Sequence, residues 1–462
     1  MFRPVAAVSI AALVAGCSLT PDYERPTSDV PPAWSTAVPT ALAAEADQAA
    51  GIDAAWWDLF GDPALSSLMR DALASNYDLT ASLERIEQAR ASVKVAGSAL
   101  LPAIDGSAGL SRRTDQPFGN AASSNNYSAS VAASYELDLW GRNRARVAGA
   151  KAGYEVSVFD FQSLKLVVQS DVATFYVGIL ALRERLDLAR QNLAAARDLL
   201  NLVELRYREG AISGLDVSQQ RGAIASFEAQ IPSLEQQLKA SEHALALLAG
   251  RTPQGFSVAE TALANLALPA IAVEQPSQLL LRRPDLRSAE QSLIAANADI
   301  GIARAAFFPT ISLSANGGLS GTISPDATST FISLASGLAA PIFRGGELTG
   351  SLERTKARQR ELVALYRQAV ITAFAEVEDA LIAVQTTDVR YRYLVESAVQ
   401  ARETYRLAQV RYKEGADDFL AVIDAQRNLF SAEDTLVDAQ VARYEAAIAL
   451  FKAMAGGWSA AG

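Results

Sequence analysis

The chain has very little of the residue types on which catalytic and metal sites depend. Its 462 residues include one cysteine, Cys17, and one histidine, His243. A single cysteine cannot form a disulfide within the chain, and a lone histidine inside a helical pattern indicates neither a metal cluster nor a catalytic pair. No glycine-rich phosphate loop precedes a lysine. We therefore predict that the protein is not an enzyme and has no metal ion and no cofactor.

Basic runs and long apolar runs are missing as well. Without Arg3, which belongs to the N-terminal signal described next, the chain has 40 basic and 51 acidic residues, a formal charge of −11. This balance argues against a nucleic-acid partner. No apolar run of about 20 residues follows the signal, so the sequence predicts no membrane-spanning helix. Any segments that cross a membrane would then be β-strands.

The N-terminus has the pattern of an export signal. One charge, Arg3, precedes the apolar residues 5–14, and the small residues Ala15 and Gly16 precede Cys17. This segment is too short to span a membrane. Cys17 stands where a bacterial lipoprotein signal has its modified residue, so we predict removal of residues 1–16 and a lipid (palmitate) on Cys17. A free buried thiol is the alternative. Ser18, rather than an aspartate, follows Cys17 and favours the outer membrane.

The remainder of the chain repeats one plan with a period near 205 residues. Residues 206–210 (Arg-Tyr-Arg-Glu-Gly) recur as 411–415 (Arg-Tyr-Lys-Glu-Gly), Leu101-Pro102 is matched by Phe308-Pro309, and Ala249-Gly250 by Ala455-Gly456. Such a period is too long for a solenoid and indicates a duplicated domain plan. We predict an N-terminal segment over 17–75, repeats over 76–250 and 286–456, a connector over 251–285 and a tail over 457–462.

Each copy contains a long segment without proline, 144–209 and 348–414, which predicts a single helix about 100 Å long. Apolar residues recur every seven positions in both segments, and again in the shorter segments that follow Gly210 and Gly415. A strict period of seven supercoils helices left-handedly. We therefore expect each long helix to coil with the shorter helix after it, with the glycines at the hairpin tips.

Between the first helix of each copy and its long helix, the period changes from seven to two. Residues 128–139 place apolar side chains at odd positions and polar side chains at even ones, and residues 310–316 alternate likewise. The polar stretches 114–126 and 320–329 are predicted to be loops. The pattern predicts two membrane strands per copy. Four strands cannot close a barrel, so the chain must oligomerise, as a trimer with twelve strands or a dimer with eight.

These features together resemble the TolC/OprM outer-membrane efflux proteins, in particular their NodT-like lipoprotein branch. The resemblance covers nearly the whole mature chain. The stretches that carry it are Gly16-Cys17-Ser18-Leu19, residues 21–26 (Pro-Asp-Tyr-Glu-Arg-Pro), Trp56-Trp57 with Phe60 and Asp62-Pro63, residues 281–286 (Leu-Arg-Arg-Pro-Asp-Leu) with Ala289-Glu290, Phe307-Phe308-Pro309, and Asp424-Ala425-Gln426-Arg427.

The resemblance implies a mainly α-helical protein with a membrane β-barrel. A trimer would form a twelve-stranded barrel continued by a twelve-helix tunnel through the periplasm. A belt around the tunnel would draw on the N-terminal segment, residues 251–275 and the C-terminus. The implied partners are a periplasmic adaptor and an inner-membrane pump of the resistance-nodulation-division type.

The resemblance also implies functional positions. It places a periplasmic gate at Leu420, Asp424 and Arg427, with Asp216 of the first copy as a candidate partner for a basic residue. We expect adaptor contacts at the hairpin tips, namely Arg206, Glu209, Gly210, Arg411, Glu414 and Gly415. The alternative for both sets is ordinary helix-end chemistry, since glycines end helices and acidic residues favour their first turns.

The predicted function is that of an outer-membrane exit duct in a tripartite efflux system. It would passively export small toxic or amphiphilic compounds and so contribute to multidrug resistance. The competing hypothesis is a lipid-anchored periplasmic coiled-coil scaffold or adaptor, which would share the heptads and the lipid but has no use for four alternating strands. The sequence does not identify the exported compound, because a wide passive duct makes few selective contacts.

Overall fold

The computed structural model describes residues 18–27, 29–36, 55–115, 122–269, 273, 275–323 and 327–456. The predicted signal over 1–16, Cys17 and the tail over 457–462 lie outside the described residues.

The described chain is mostly helical, and each copy of the plan also contributes one pair of strands. Short 3-10 turns occur at Trp56–Phe60 and Leu263–Asn265. The other elements, in chain order, are α1 Pro63–Ser75, α2 Tyr77–Ser98, β1 Ala103–Asp115, β2 Ala122–Leu137, α3 Arg142–Arg208, α4 Gly214–Leu248, α5 Pro276–Arg282, α6 Pro284–Ala305, β3 Thr310–Thr322, β4 Ala327–Ala339, α7 Glu347–Lys413 and α8 Phe419–Ala453.

The duplicated plan of strand pair, long helix and shorter helix is confirmed. Helices α3 and α7 each have 67 residues, and α4 and α8 each have 35. The ends of the long helices lie within two residues of those predicted from the sequence. The lengths follow from the absence of proline from the long segments. Helix α4 contains Pro232 in its interior.

The last helices of the two copies end at equivalent positions, Leu248 and Ala453, which are 205 residues apart. Gly250 adopts a left-handed conformation, with φ of 64°, where the chain leaves α4. After α8 the left-handed residue is Ala455, with φ of 56°, and not Gly456. The pairing of Ala249-Gly250 with Ala455-Gly456 from sequence is therefore one residue out of register with the backbone. The starts of α3 and α7, and those of α4 and α8, are offset by 205 residues, whereas these dipeptides are offset by 206.

The four strands form one antiparallel sheet in the order β1-β2-β3-β4. Strands β1 and β2 pair from Ala103 with Ser134 to Asp115 with Ala122, and β2 and β3 pair through Ala133 with Ala315. The predicted loops over 114–126 and 320–329 are wrong in extent, because strand residues occupy most of both ranges. Ser123, Asn125 and Ser320 resemble turn residues in the sequence but lie in the paired strands.

The sheet has one apolar face and one polar face, as the alternation predicts. The apolar face is open to solvent in the single chain: Leu110 is 80% exposed, Ile332 88% and Leu334 82%. On the polar face, the hydroxyls of Ser107 and Ser130 hydrogen-bond across β1 and β2 at 2.8 Å. The sheet therefore has the two-sided character of a wall between lipid and water.

One helix corrects the expectation that no long apolar run follows the signal. Helix α3 contains a stretch long and apolar enough to cross a membrane, and 56% of that stretch is buried inside the protein. Val172, Ala173 and Tyr176 of this helix are fully buried. This burial is typical of a core helix, which satisfies the same length and composition criteria.

The chain forms two compact units, and each unit takes segments from both copies. One unit comprises Met1–Ser28, Leu83–Phe159 and Asp285–Ala369, including the whole sheet. The other comprises Asp29–Ser82, Asp160–Pro284 and Val370–Gly462. The N-terminal segment predicted over 17–75 is thus divided between the two units. The predicted repeats therefore divide the sequence, whereas each compact unit contains residues from both repeats.

Trp56 lies in the core of the second unit. It is 2% exposed and stacks on Phe451 of α8 with ring centroids 4.9 Å apart. Asp62 caps α1 by accepting from the amide of Ala64 at 2.7 Å, and its other oxygen accepts from the hydroxyl of Tyr176 at 2.6 Å. The tryptophan and aspartate positions of the sequence motif are therefore structural.

Candidate functional site

The two hairpin tips are built in the same way. Two residues after α3 ends, Gly210 is left-handed with φ of 72°, and two residues after α7 ends, Gly415 is left-handed with φ of 75°. In each tip the amide that follows the glycine bonds back to the arginine carbonyl: Ala211 to Arg206 and Ala416 to Arg411, both at 2.9 Å. This closure requires a left-handed residue, which glycine adopts without strain.

The helices that leave the tips are capped differently. Ser213 and Asp216 form a capping box at the start of α4, in which the Asp216 carboxylate accepts from the Ser213 amide at 3.1 Å. Asp418 caps α8 by accepting from the amide of Ala421 at 3.1 Å. In the described chain no basic side chain bonds to Asp216. The structure therefore gives Asp216 a local capping role.

The tips of the two hairpins share one hydrophobic core. Tyr412 is 2% exposed and packs on Phe419 with ring centroids 5.5 Å apart. Tyr207, its counterpart in the first copy, is 50% exposed although it has the same heptad phase. The position that corresponds to Phe419 is Gly214, which has no side chain for Tyr207 to pack on. The core comprises Leu199, Val203, Val217, Tyr405, Ala408, Tyr412, Phe419, Val422, Ile423, Ala425 and Leu429.

The two equivalent arginines of the tips make different contacts. Arg206 reaches from the first hairpin to the second, donating to the carbonyl of Lys413 at 2.6 Å, with its guanidinium 4.5 Å from the ring centroid of Tyr412. Arg411 instead pairs with Asp417 of its own turn at 2.5 and 2.9 Å, which lowers the pKa of that carboxyl. Arg206 therefore links the hairpins, and Arg411 stabilises one turn.

The three predicted gate residues lie on one exposed stripe of α8. Leu420, Asp424 and Arg427 are spaced by four and three residues, which places them on one side of a helix. Leu420 is 53% exposed, and Asp424 and Arg427 are exposed as well. The structure thus brings the predicted gate residues together on a surface opposite the buried side of α8.

Capping of α8 and its helix dipole do not explain the presence of Asp424 and Arg427. Asp424 is the sixth residue of α8, beyond the first turn in which the helix dipole acts, and Asp418 already caps that turn. Within the described residues, neither Asp424 nor Arg427 has an ion-pair partner, and they do not pair with each other. The corresponding positions of the first copy are Leu215, Gln219 and Gly222, so only the second copy has the charges.

The remaining predicted tip residues, Glu209 and Glu414, are both exposed. They flank the two tip glycines, and their carboxylates have no hydrogen-bond partner within the described chain. Sequence reasoning missed the buried amides beside the tips. Gln220 is fully buried and donates to the carbonyl of Ala196 at 2.7 Å, and Gln426 is 1% exposed. A glutamine on the heptad side of each helix was the available signal.

Comparison with known proteins identifies the family. Residues 68–251 and 275–456 match the family described as outer membrane efflux protein. The chain belongs to this family. Among curated members it is 37% identical to the pyoverdine export outer membrane protein OpmQ of Pseudomonas aeruginosa, over 98% of this chain and 96% of the relative. It is 34% identical, over the same shares, to the toluene efflux pump outer membrane protein TtgF of Pseudomonas putida.

A solved structure has the same fold. The open state of the Neisseria gonorrhoeae MtrE outer membrane channel superposes with a TM-score of 0.83 at 30% identity, covering 96% of this chain and 98% of that one. The efflux protein described here is thus an outer-membrane channel with the TolC-type fold and forms the exit duct of a tripartite efflux system. Its relatives are channels rather than enzymes, and the coiled-coil scaffold hypothesis is set aside.

Proposed function

We propose that three copies of this efflux protein assemble into one duct, with a closed periplasmic gate formed by Leu420, Asp424 and Arg427. The duct would work with a periplasmic adaptor and an inner-membrane pump of the resistance-nodulation-division type. Its cargo would be small toxic or amphiphilic compounds. The names of OpmQ and TtgF, which refer to pyoverdine and toluene, support small molecules as cargo.

The observation that carries the proposal is the sheet with two open edges. In the described chain, β1 pairs only with β2, and β4 only with β3. The apolar face indicates surrounding lipid, where an unpaired strand edge would leave backbone groups without water or partners. Pairing β1 of each copy with β4 of the next removes every edge. Three copies then provide twelve strands around a lumen lined by the polar face.

The gate is supported by the position and chemistry of the α8 stripe. In a threefold assembly, each inward side chain becomes a ring of three. Leu420 would form a dry constriction, and Asp424 and Arg427 would form adjacent rings of opposite charge. Because both charged groups lack ion-pair partners among the described residues of their own chain, they are available to pair between copies. Asp216, which caps α4, is a further carboxylate that a neighbouring arginine could reach.

We assign the adaptor contact to the end of the duct that contains the proposed gate. Glu209 and Glu414 are exposed beside the two tip glycines, and the tips present equivalent turns from both copies of the plan. A partner with a repeated binding element could engage both. Crosslinkers placed at Glu209 and Glu414 should capture the adaptor, and a crosslinker placed at Thr114 of β1 should not.

The membrane anchor is assigned to Cys17. An acyl chain would supplement the barrel as an anchor, since one chain alone holds a protein only reversibly. Cys17→Ser should therefore reduce sorting or yield more than conductance. Intact mass of the purified protein should show a chain that starts at residue 17 and carries the lipid. An unmodified Cys17, or a chain that retains Met1, would contradict this assignment.

Conductance in a planar bilayer tests the duct and its gate together. The purified protein should run as a trimer that heat dissociates and should show a small resting conductance. Asp424→Ala and Arg427→Ala should raise that conductance without loss of the trimer, and Leu420→Ala should raise it further. The matched controls are Leu215→Ala and Gln219→Ala, the corresponding positions of the first copy.

Two outcomes would overturn the proposal. A non-conducting protein that is extracted without detergent would exclude the duct. Wild-type conductance in all three gate variants would place the constriction elsewhere and leave the α8 stripe as ordinary helix surface.

A further inference from the structure

Residues 18–27, here called the tether, lie against α6. Side chains of α6 hold the tether by hydrogen bonds and an ion pair: Arg304 to the carbonyl of Leu19 at 3.2 Å, Asn297 to the carbonyl of Pro21 at 2.6 Å, and Glu290 to the guanidinium of Arg25 at 2.7 and 2.8 Å. The order of these contacts shows that the tether runs antiparallel to α6.

The spacing of the contacts shows that the tether is extended and in register with α6. Six residues separate Leu19 from Arg25, which span about 20 Å in an extended chain. Fourteen residues separate Glu290 from Arg304, which span about 21 Å in a helix. Because these lengths agree, both ends of the tether are fixed without slack. Glu290, Asn297, Gly301 and Arg304 lie on one side of α6, and we call them the track.

Gly301 is the position of closest approach. A Cβ atom added there would lie 2.1 Å from the Thr20 hydroxyl and 2.9 Å from the Thr20 Cα atom. No larger residue could occupy position 301 while the tether is bound. At Gly153 of α3, in the same compact unit, an added Cβ atom would meet open space. The tether therefore requires a glycine at position 301 on α6, whereas Gly153 is free of such a constraint.

The C-terminal end of the tether, at Arg25, depends on a nearly buried carboxylate. Glu290 is 7% exposed, and its nearest other cation is Arg287 at 3.9 Å. Loss of Arg25 would leave this carboxylate without its two short hydrogen bonds. A buried carboxylate without such bonds is strongly unfavourable, so the ion pair between Arg25 and Glu290 fixes the C-terminal end of the tether.

The N-terminal end of the tether, at Ser18, lies at the corner between β2 and α3. Gly141, with φ of 74°, turns the chain there, and a Cβ atom at this position would lie 3.5 Å from the Cα atom of Ser18. The neighbouring Trp140 donates to the carbonyl of Pro309 at 2.7 Å, which ties this corner to the start of β3. Ser18 therefore lies beside the corner where β2 ends and β3 begins.

We propose that the track on α6 is a positioning site that sets the height of the acylated N-terminus at the base of the barrel. The inference rests on the proposed lipid at Cys17, the residue before Ser18. Because covalent geometry allows only about 3.8 Å between consecutive Cα atoms, a lipid on that residue must enter the leaflet beside the β2–α3 corner. Glu290, Asn297 and Gly301 thereby act on the anchor through the tether.

Cysteine labelling of the full-length protein tests the track without the lipid. Cys17→Ser removes the only cysteine, and Thr20→Cys in that background adds one against Gly301. We expect slow reaction with a maleimide, and at least a tenfold faster reaction when Gly301→Val or Arg25→Gln is added. Gly153→Val, a matched change in α3, should leave the rate unchanged. Fast labelling in the parent, or equal rates in all variants, would overturn the track.

A photocrosslinker at Ser18 tests the height of the anchor in the acylated protein with Cys17 intact. Adducts should form on residues 138–146 in the parent and be lost with Gly301→Val or Arg25→Gln. An acylated chain whose adducts lie elsewhere would refute the positioning role. Intact mass separates the two proposals, because an unmodified Cys17 refutes the lipid while the labelling result still reports on the track.

Discussion

Arg206 and Arg411 are equivalent residues whose replacement should have different effects on the tips. Arg206→Met removes the hydrogen bond to the Lys413 carbonyl and the contact with the Tyr412 ring, while keeping an apolar stem. A bond from a charged donor contributes about 1.5 kcal/mol at the low end suited to a partly exposed group, and the cation–π contact about 0.5 kcal/mol. Together they amount to about 2 kcal/mol, or about 30-fold in the equilibrium between joined and separated tips.

Arg411→Met is the matched control, since the Arg411 side chain bonds to Asp417 of its own exposed turn and not to the other hairpin. Hydrogen exchange of the α8 amides near Val422 should accelerate about 30-fold in Arg206→Met and remain near the wild-type rate in Arg411→Met. The resting conductance should rise in the first variant and not in the second. Equal exchange in both variants would refute the assignment of Arg206 as the link between the hairpins.

Three further predictions concern the core, the membrane face and pH. Gly250→Ala combines left-handed strain with a Cβ 2.1 Å from the last carbonyl oxygen of α1 and should cost about 3 kcal/mol in unfolding free energy. Gly255→Ala, strained but in open space, should cost about 1 kcal/mol in the same thermal melt. Ile332→Arg on the apolar face should destabilise folding in lipid vesicles by about 2 to 4 kcal/mol, whereas Ser333→Arg on the polar face should be tolerated. Burial raises the pKa of Tyr23 to about 12. The neutral hydroxyl of Tyr23 therefore contributes fully to the free energy of unfolding below about pH 10, and this contribution is lost as the pH rises toward 12. Tyr23→Phe should make the free energy of unfolding fall less steeply in this alkaline range.

Local structure could be predicted from the sequence because its causes are local. The long helices have no proline, so their ends are set by the residues that stop them, and Gly210 and Gly415 occupy the left-handed positions at both tips. The period-two alternation predicted which side chains share a face of the sheet. The stripe of Leu420, Asp424 and Arg427 follows from helical spacing alone, whereas the proposal that it forms a gate rests on the family resemblance.

Only the tertiary structure distinguished residues with the same local sequence. Arg206 and Arg411 lie in nearly identical pentapeptides, yet one crosses to the other hairpin and the other does not, because Tyr412 and the Lys413 carbonyl reach Arg206 only after packing. Gly301 resembles any helical glycine until Thr20, more than 280 residues away in sequence, is placed against it. Such contacts depend on how distant elements approach each other, and no periodicity within one segment contains that information.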